Sequence, residues 1–142
     1  MRLEFHYTLY IGKPASEVWN ALTEKAVIDR YYMVPVFALE LEIGGKISYG
    51  VDSELISGQI LEIQAPKTLA HTFLFAGSQE PETTVTYEIE PVGEAMCILR
   101  IAHTGFEAES QTFADISGGW PLIASSLKTL LETGAGLPWP AQ

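Results

Sequence analysis

An α+β domain, in which an antiparallel sheet of about six strands packs against one long C-terminal helix, is predicted by three features of the sequence. Apolar residues recur at every second position in successive runs from Leu3 to Thr104, the period of strands with one buried face. The connections between those runs are short, which favours antiparallel neighbours. After Gly118 the spacing changes: Trp120, Ile123, Ala124, Leu127, Leu130 and Leu131 recur at helical intervals and make one wide apolar face.

The first strand is written by Leu3, Phe5, Tyr7, Leu9 and Ile11, which alternate with Arg2, Glu4, His6, Thr8 and Tyr10 and stop at Gly12-Lys13-Pro14. A helix then starts at Ser16 or at Lys13-Pro14, with Val18, Trp19 and Leu22 on one face, and a second short helical piece runs from Thr23 to about Tyr31. Alternation resumes at Phe37 with Leu39, Leu41, Ile43, Ile47, Tyr49 and Val51. The pair Gly44-Gly45 in its middle marks a turn, bulge or bend. Strands follow over Gln59–Ile63 and Thr68–Phe75, joined at Ala65-Pro66-Lys67, and then over Thr84–Glu90 and Met96–Thr104. In the last, Cys97, Leu99, Ile101 and His103 share a face. The closing helix is expected to open at Gly118-Gly119-Trp120-Pro121, with Pro121 in its first turn, the glycines allowing close backbone packing, and Gly134 as its left-handed cap. Residues 1–135 read as one domain and 136–142 as a tail in which Trp139 either packs or is exposed.

Composition narrows the function. A formal charge of −10, from 18 acidic and 8 basic residues, opposes binding to phosphate backbones, and the basic residues form no cluster. Nucleic acid is therefore not expected as a partner. The single cysteine excludes an internal disulfide and a cysteine-built zinc site. Arg2, Glu4 and His6 interrupt the apolar residues where a signal peptide would be continuous, and no run is long enough to insert in a bilayer. A cytoplasmic protein is the expectation.

None of the reactive side chains forms a motif of its own. His71 and His103 each fall on an apolar strand face, where a histidine is either a ligand anchor or, more ordinarily, a core residue bonded to its surroundings. His6 lies on a charged face. The three histidines lack the tight spacing of a metal motif, so no metal or cofactor is expected. Cys97 and His103 are six residues apart on an extended strand, about 20 Å, too far for a nucleophile and its base. The pairs Glu40/Glu42, Glu80/Glu82 and Glu88/Glu90 read as solvated faces rather than glycosidase carboxylates.

The order of several short segments is more telling. Pro14-Ala15-Ser16-Glu17-Val18-Trp19-Asn20-Ala21-Leu22, Gly44-Gly45-Lys46-Ile47, Gly58-Gln59-Ile60-Leu61-Glu62-Ile63 with Pro66, Leu69 and Thr72-Phe73, Val85-Thr86-Tyr87-Glu88-Ile89, His103-Thr104-Gly105-Phe106 and Gly118-Gly119-Trp120-Pro121 span nearly the whole chain. Together they resemble the START-like (SRPBCC) superfamily, and within it the family similar to the C-terminal domain of the activator of the heat-shock protein 90 ATPase. The family's larger N-terminal activator domain has no counterpart in these residues.

That resemblance implies a helix-grip fold, a curved antiparallel sheet wrapped around the C-terminal helix with a cavity between them, and two short helices after the first strand. It implies a non-enzymatic binder of a small apolar or amphipathic ligand. The alternatives are a co-chaperone-like module that contacts an ATPase, and, third, a cyclase- or hydratase-like enzyme. The expected ligand-facing residues are Trp19, Tyr49, His71, Phe73, Phe75, Tyr87, Leu99, Ile101, His103, Trp120, Ile123 and Leu127. A monomer or homodimer is expected, with a chaperone as the candidate protein partner.

Overall fold

A computed structural model describes residues 3–140, so Arg2 at the start and the last two residues of the tail lie outside the described residues. The elements run β1 (Leu3–Ile11), α1 (Ala15–Thr23), α2 (Lys25–Ile28), β2 (Val36–Leu39), β3 (Lys46–Tyr49), β4 (Ile56–Gln64), β5 (Thr68–Phe75), β6 (Thr83–Val92), β7 (Met96–Phe106) and α3 (Gln111–Thr133). Seven antiparallel strands form one curved sheet in the order β1-β7-β6-β5-β4-β3-β2, and α3 is gripped by it.

The sheet has seven strands rather than about six because the run from Phe37 to Val51 is a hairpin. Gly44 has φ +83, and a Cβ on Gly45 would lie 2.0 Å from the Glu40 carbonyl oxygen, so only glycine fits the turn. The alternation across that turn did not mark one face: Leu41, Ile43 and Val51 lie outside the strands and are exposed. Register shifts in the β1–β7, β2–β3 and β4–β5 pairs add local bends to the sheet.

Beneath the sheet α1 turns Val18, Trp19, Ala21 and Leu22 into the core. The Tyr31 hydroxyl donates to the Ala21 carbonyl at 2.6 Å, holding the segment after α2 against α1. Tyr32 then stacks on Tyr49 of β3, ring centroids 4.3 Å apart.

Helix α3 starts at Gln111, not at Gly118, and Pro121 is therefore internal rather than in the first turn. Ser110 caps it, its hydroxyl accepting from the Phe113 N–H at 3.1 Å. Thr112, Ile116, Trp120, Ile123, Ala124, Leu127 and Leu130 make a continuous buried stripe, so tertiary packing carries the helix across two glycines and a proline that local propensity would end it at. Its C-terminal half is tied to the end of β1. Lys128 Nζ donates to the Tyr10 carbonyl at 2.6 Å and to Glu132 Oε2 at 2.7 Å, and that same oxygen accepts from the Gly12 N–H at 2.6 Å. Gly134, φ +92, caps the helix as expected. The tail leaves with the Leu137 N–H on the Ser126 hydroxyl, and Trp139 is 37% exposed.

Candidate functional site

The gly-gly step of α3 does not serve close packing. A Cβ built on Gly118 or Gly119 meets nothing within 4 Å outside the helix's own backbone, so both face open space. That space is a cleft of about 420 Å³, within the range of sites that hold small molecules. Asp115, Gly118, Gly119 and Leu122, spaced i, i+3, i+4 and i+7, form the stripe of α3 along it, with Ile116, Trp120 and Ile123 beside them. The opposite wall comes from Phe73 and Phe75 at the end of β5, Leu55 and Ile56 at the start of β4, and Tyr32, Met33 and Val34 after α2. Met33, Leu55 and Leu122 are about half exposed, which puts the mouth at their side chains. Asp115 is the one acidic or basic residue among those lining the wall, and its Oδ1 accepts from Gln111 Nε2 at 2.9 Å.

Of the residues expected to face a ligand, the structure brings Phe73, Phe75, Trp120 and Ile123 together on this cleft. Trp19, Tyr49, Tyr87, Leu99, Ile101 and Leu127 lie in the contiguous apolar core, and none of them lines the cleft. His71 and His103 are buried outside the cleft wall as well. Strand register sets them level with each other on either side of Val85. Tyr32, Met33, Val34, Leu55, Ile56, Asp115, Ile116 and Leu122 were not anticipated. Their signal was faint: Met33, Leu55 and Leu122 are apolar residues outside any alternating run, and Asp115 precedes the segment read as helical.

Behind the wall the polar atoms form a closed chain. Indole N–H is a donor only, so the 3.0 Å contact from Trp120 Nε1 to His103 Nδ1 requires that nitrogen to accept. The proton then sits on His103 Nε2, which donates to Thr83 Oγ1 at 2.7 Å, and the Thr83 hydroxyl donates to the Phe73 carbonyl at 3.3 Å. Burial, with His71 nearby, pushes the His103 pKa down to about 3. Burial likewise lowers His71 to about 4, against the opposing effect of its bond to the Thr72 carbonyl, 2.7 Å from Nδ1. His71 Nε2 is buried without a partner. Both imidazoles are neutral at pH 7, and both nitrogens of His103 are engaged, Nδ1 by Trp120 and Nε2 by Thr83. Cys97 is fully buried and its thiol pKa is raised by burial, which makes it a poor nucleophile.

Among the described residues no group of three or more His, Cys, Asp or Glu is placed to hold a metal ion. No helix among them is long and apolar enough to cross a membrane.

The architecture has many counterparts among solved structures. An HSP90 activator from Plasmodium falciparum superposes with a TM-score of 0.81 at 24% identity, over 92% of this chain and 96% of that one. A protein from Mesorhizobium loti gives a TM-score of 0.80 at 23% identity, over 92% and 97% of the two chains. The Aha1 dimer from Colwellia psychrerythraea gives 0.81 at 17% identity, over 94% and 99%. At these identities the likeness is one of fold. No curated protein sequence matches the chain. The sequence model of the family described as Activator of Hsp90 ATPase homolog 1-like protein matches residues 13–132, from the start of α1 to the end of α3, and the chain belongs to that family.

Proposed function

We propose that the chain binds a small apolar or amphipathic molecule, without turnover, in the cleft between the N-terminal half of α3 and the β4–β5 end of the sheet. One observation carries this reading: two adjacent glycines in the middle of α3 face open space instead of a neighbour. In a helix interior each glycine costs about 0.8–1.0 kcal/mol relative to alanine. No close backbone contact offsets that cost here, and what the glycines supply is room. The walls around them are Phe73, Phe75, Trp120, Ile116, Ile123 and Ile56, surfaces from which water is readily displaced.

The absence of turnover is supported by where the bases are. Proton transfer needs a group within hydrogen-bond reach of the substrate. The two buried histidines do not line the cleft, His103 is committed to Trp120 and Thr83, and the one carboxylate in the wall, Asp115, has no second acid, base or nucleophilic thiol or serine beside it there.

The test is titration of the full chain with a neutral apolar dye such as N-phenyl-1-naphthylamine. Saturable binding at about one dye per chain, weakened when Gly119 is replaced by leucine to fill the cleft, is the expected result. A folded protein that binds no neutral apolar probe would remove the proposal.

A co-chaperone-like role is the second reading, and the family's description and the HSP90 activator of Plasmodium falciparum among the fold neighbours favour it. Exposed Phe37, Leu41, Ile43, Val51 and Leu61 on and around β2, β3 and β4 supply apolar surface that a protein partner would cover. Stimulation of a chaperone ATPase by the purified chain, lost on Phe37→Ser but not on Gly119→Leu, would establish that role independently of the cleft.

A further inference from the structure

Resting on the cleft as a binding site, we propose that its occupant is an amphipathic cation, an apolar body bearing a protonated or quaternary amine that sits against Asp115. Asp115, Gly118, Gly119 and Leu122 follow one another along a single stripe of α3. At about 1.5 Å rise per residue that stripe is about 10 Å long. An elongated molecule laid over the glycines therefore meets a carboxylate at one end and an apolar side chain at the other.

Gln111 holds Oδ1 of that carboxylate by an i,i+4 bond of 2.9 Å, which leaves Oδ2 to receive a ligand. No lysine, arginine or histidine lines the cleft, so an acid or phosphate headgroup would find no counter-charge there. The chain's charge of −10 acts in the same direction.

One feature opposes a cation, the positive end of the α3 dipole, equivalent to about half a charge. That end is already occupied. Ser110 caps the Phe113 N–H, and the Glu80 carboxyl is held below the usual carboxylate range by hydrogen bonds at Ser110 and Thr112. Two full negative charges, Glu80 and Asp115, outweigh the half charge of the helix.

The experiment is displacement of N-phenyl-1-naphthylamine from the full chain by three probes with one tail, decyltrimethylammonium, decanol and decanoate, all below their aggregation limits. The cation is expected to compete about 5-fold better than the alcohol at low salt, the advantage of one exposed charge pair, and the carboxylate worse than either. Asp115→Asn should remove the cation's advantage and leave decanol unchanged, while Glu94→Gln, an exposed charge in the β6–β7 turn, should change neither. Decanoate competing as well as the cation, a preference that survives Asp115→Asn, or an equal loss in Glu94→Gln would each overturn the assignment while leaving the cleft a binding site. Failure of the dye itself to bind would overturn the cleft reading, and this inference with it.

Discussion

Trp120 of α3 donates its indole N–H to Nδ1 of His103 on β7 at 3.0 Å, and this bond fastens the closing helix to the strand next to the β1 edge of the sheet. Through Thr83 the chain of bonds ends on the Phe73 carbonyl, so Trp120 and Phe73, two aromatic residues that line the cleft, are joined behind its wall. Edge-on aromatic contacts of Trp120 with Tyr87 and of His103 with Phe73 complete the block.

Removing one end of that chain strands the other. Trp120→Phe keeps the apolar bulk but leaves His103 Nδ1 a buried acceptor without a donor, a loss expected to be about 1–3 kcal/mol. Trp120→Ala adds a void, for about 3–5 kcal/mol in total. Trp139→Ala, at a half-exposed site in the tail, should fall within about 0.5 kcal/mol of the parent. Urea unfolding of the three variants measures these differences, and a near-neutral Trp120→Phe would show that the indole bond holds nothing.

Acid should unfold the protein partly through its two buried histidines. Their folded values, about 3 for His103 and about 4 for His71, lie below the ordinary unfolded value of about 6.5. Between those limits the unfolded chain binds protons that the folded chain refuses, so stability is complete above about pH 6.5 and is lost as pH falls. Each histidine contributes a slope of at most about 1.4 kcal/mol per pH unit. Glu132, Glu54 and Glu80, whose carboxyls are held low by hydrogen bonds, lose their contribution in an overlapping range. His103→Gln separates the terms, because a glutamine can accept from Trp120 and donate to Thr83 without titrating. Unfolding midpoints at pH 7, 5 and 4 should fall less steeply in that variant.

Gly118→Ala and Gly119→Ala should each raise stability, by up to about 1 kcal/mol, since both sites are helical and have room for a methyl group. Each methyl narrows the cleft, so affinity for a neutral apolar dye should fall as the melting temperature rises. A gain in stability with unchanged dye binding would place the dye elsewhere.

Two kinds of contact hold the C-terminal half of α3. Leu127→Ala, at a site 2% exposed, is expected to cost about 2–5 kcal/mol. Glu132→Gln weakens an exposed ion pair with Lys128 and the contact with the Gly12 N–H, and should cost under about 1 kcal/mol. Thermal unfolding distinguishes these magnitudes directly.

Alternation and helical spacing determined the strands and the final helix of this protein. Phe5, Tyr7 and Leu9 on β1 and Leu99, Ile101 and His103 on β7 share the inner face of their strands because a period of two cannot be satisfied any other way when one face is buried. Burial of His71 and His103 followed from the same rule. Where local and tertiary effects compete, the sequence was silent. Gly118, Gly119 and Pro121 read as a helix start because propensity is local, yet the helix runs through them because Ile116 upstream and Ile123 downstream are buried on the same side. The cleft was decided by the tertiary structure alone. It is a space bounded by β4, β5, the segment after α2 and one stripe of α3, elements distant in sequence, and a one-dimensional pattern can mark a side chain as apolar but cannot say whether another side chain or open space lies across from it.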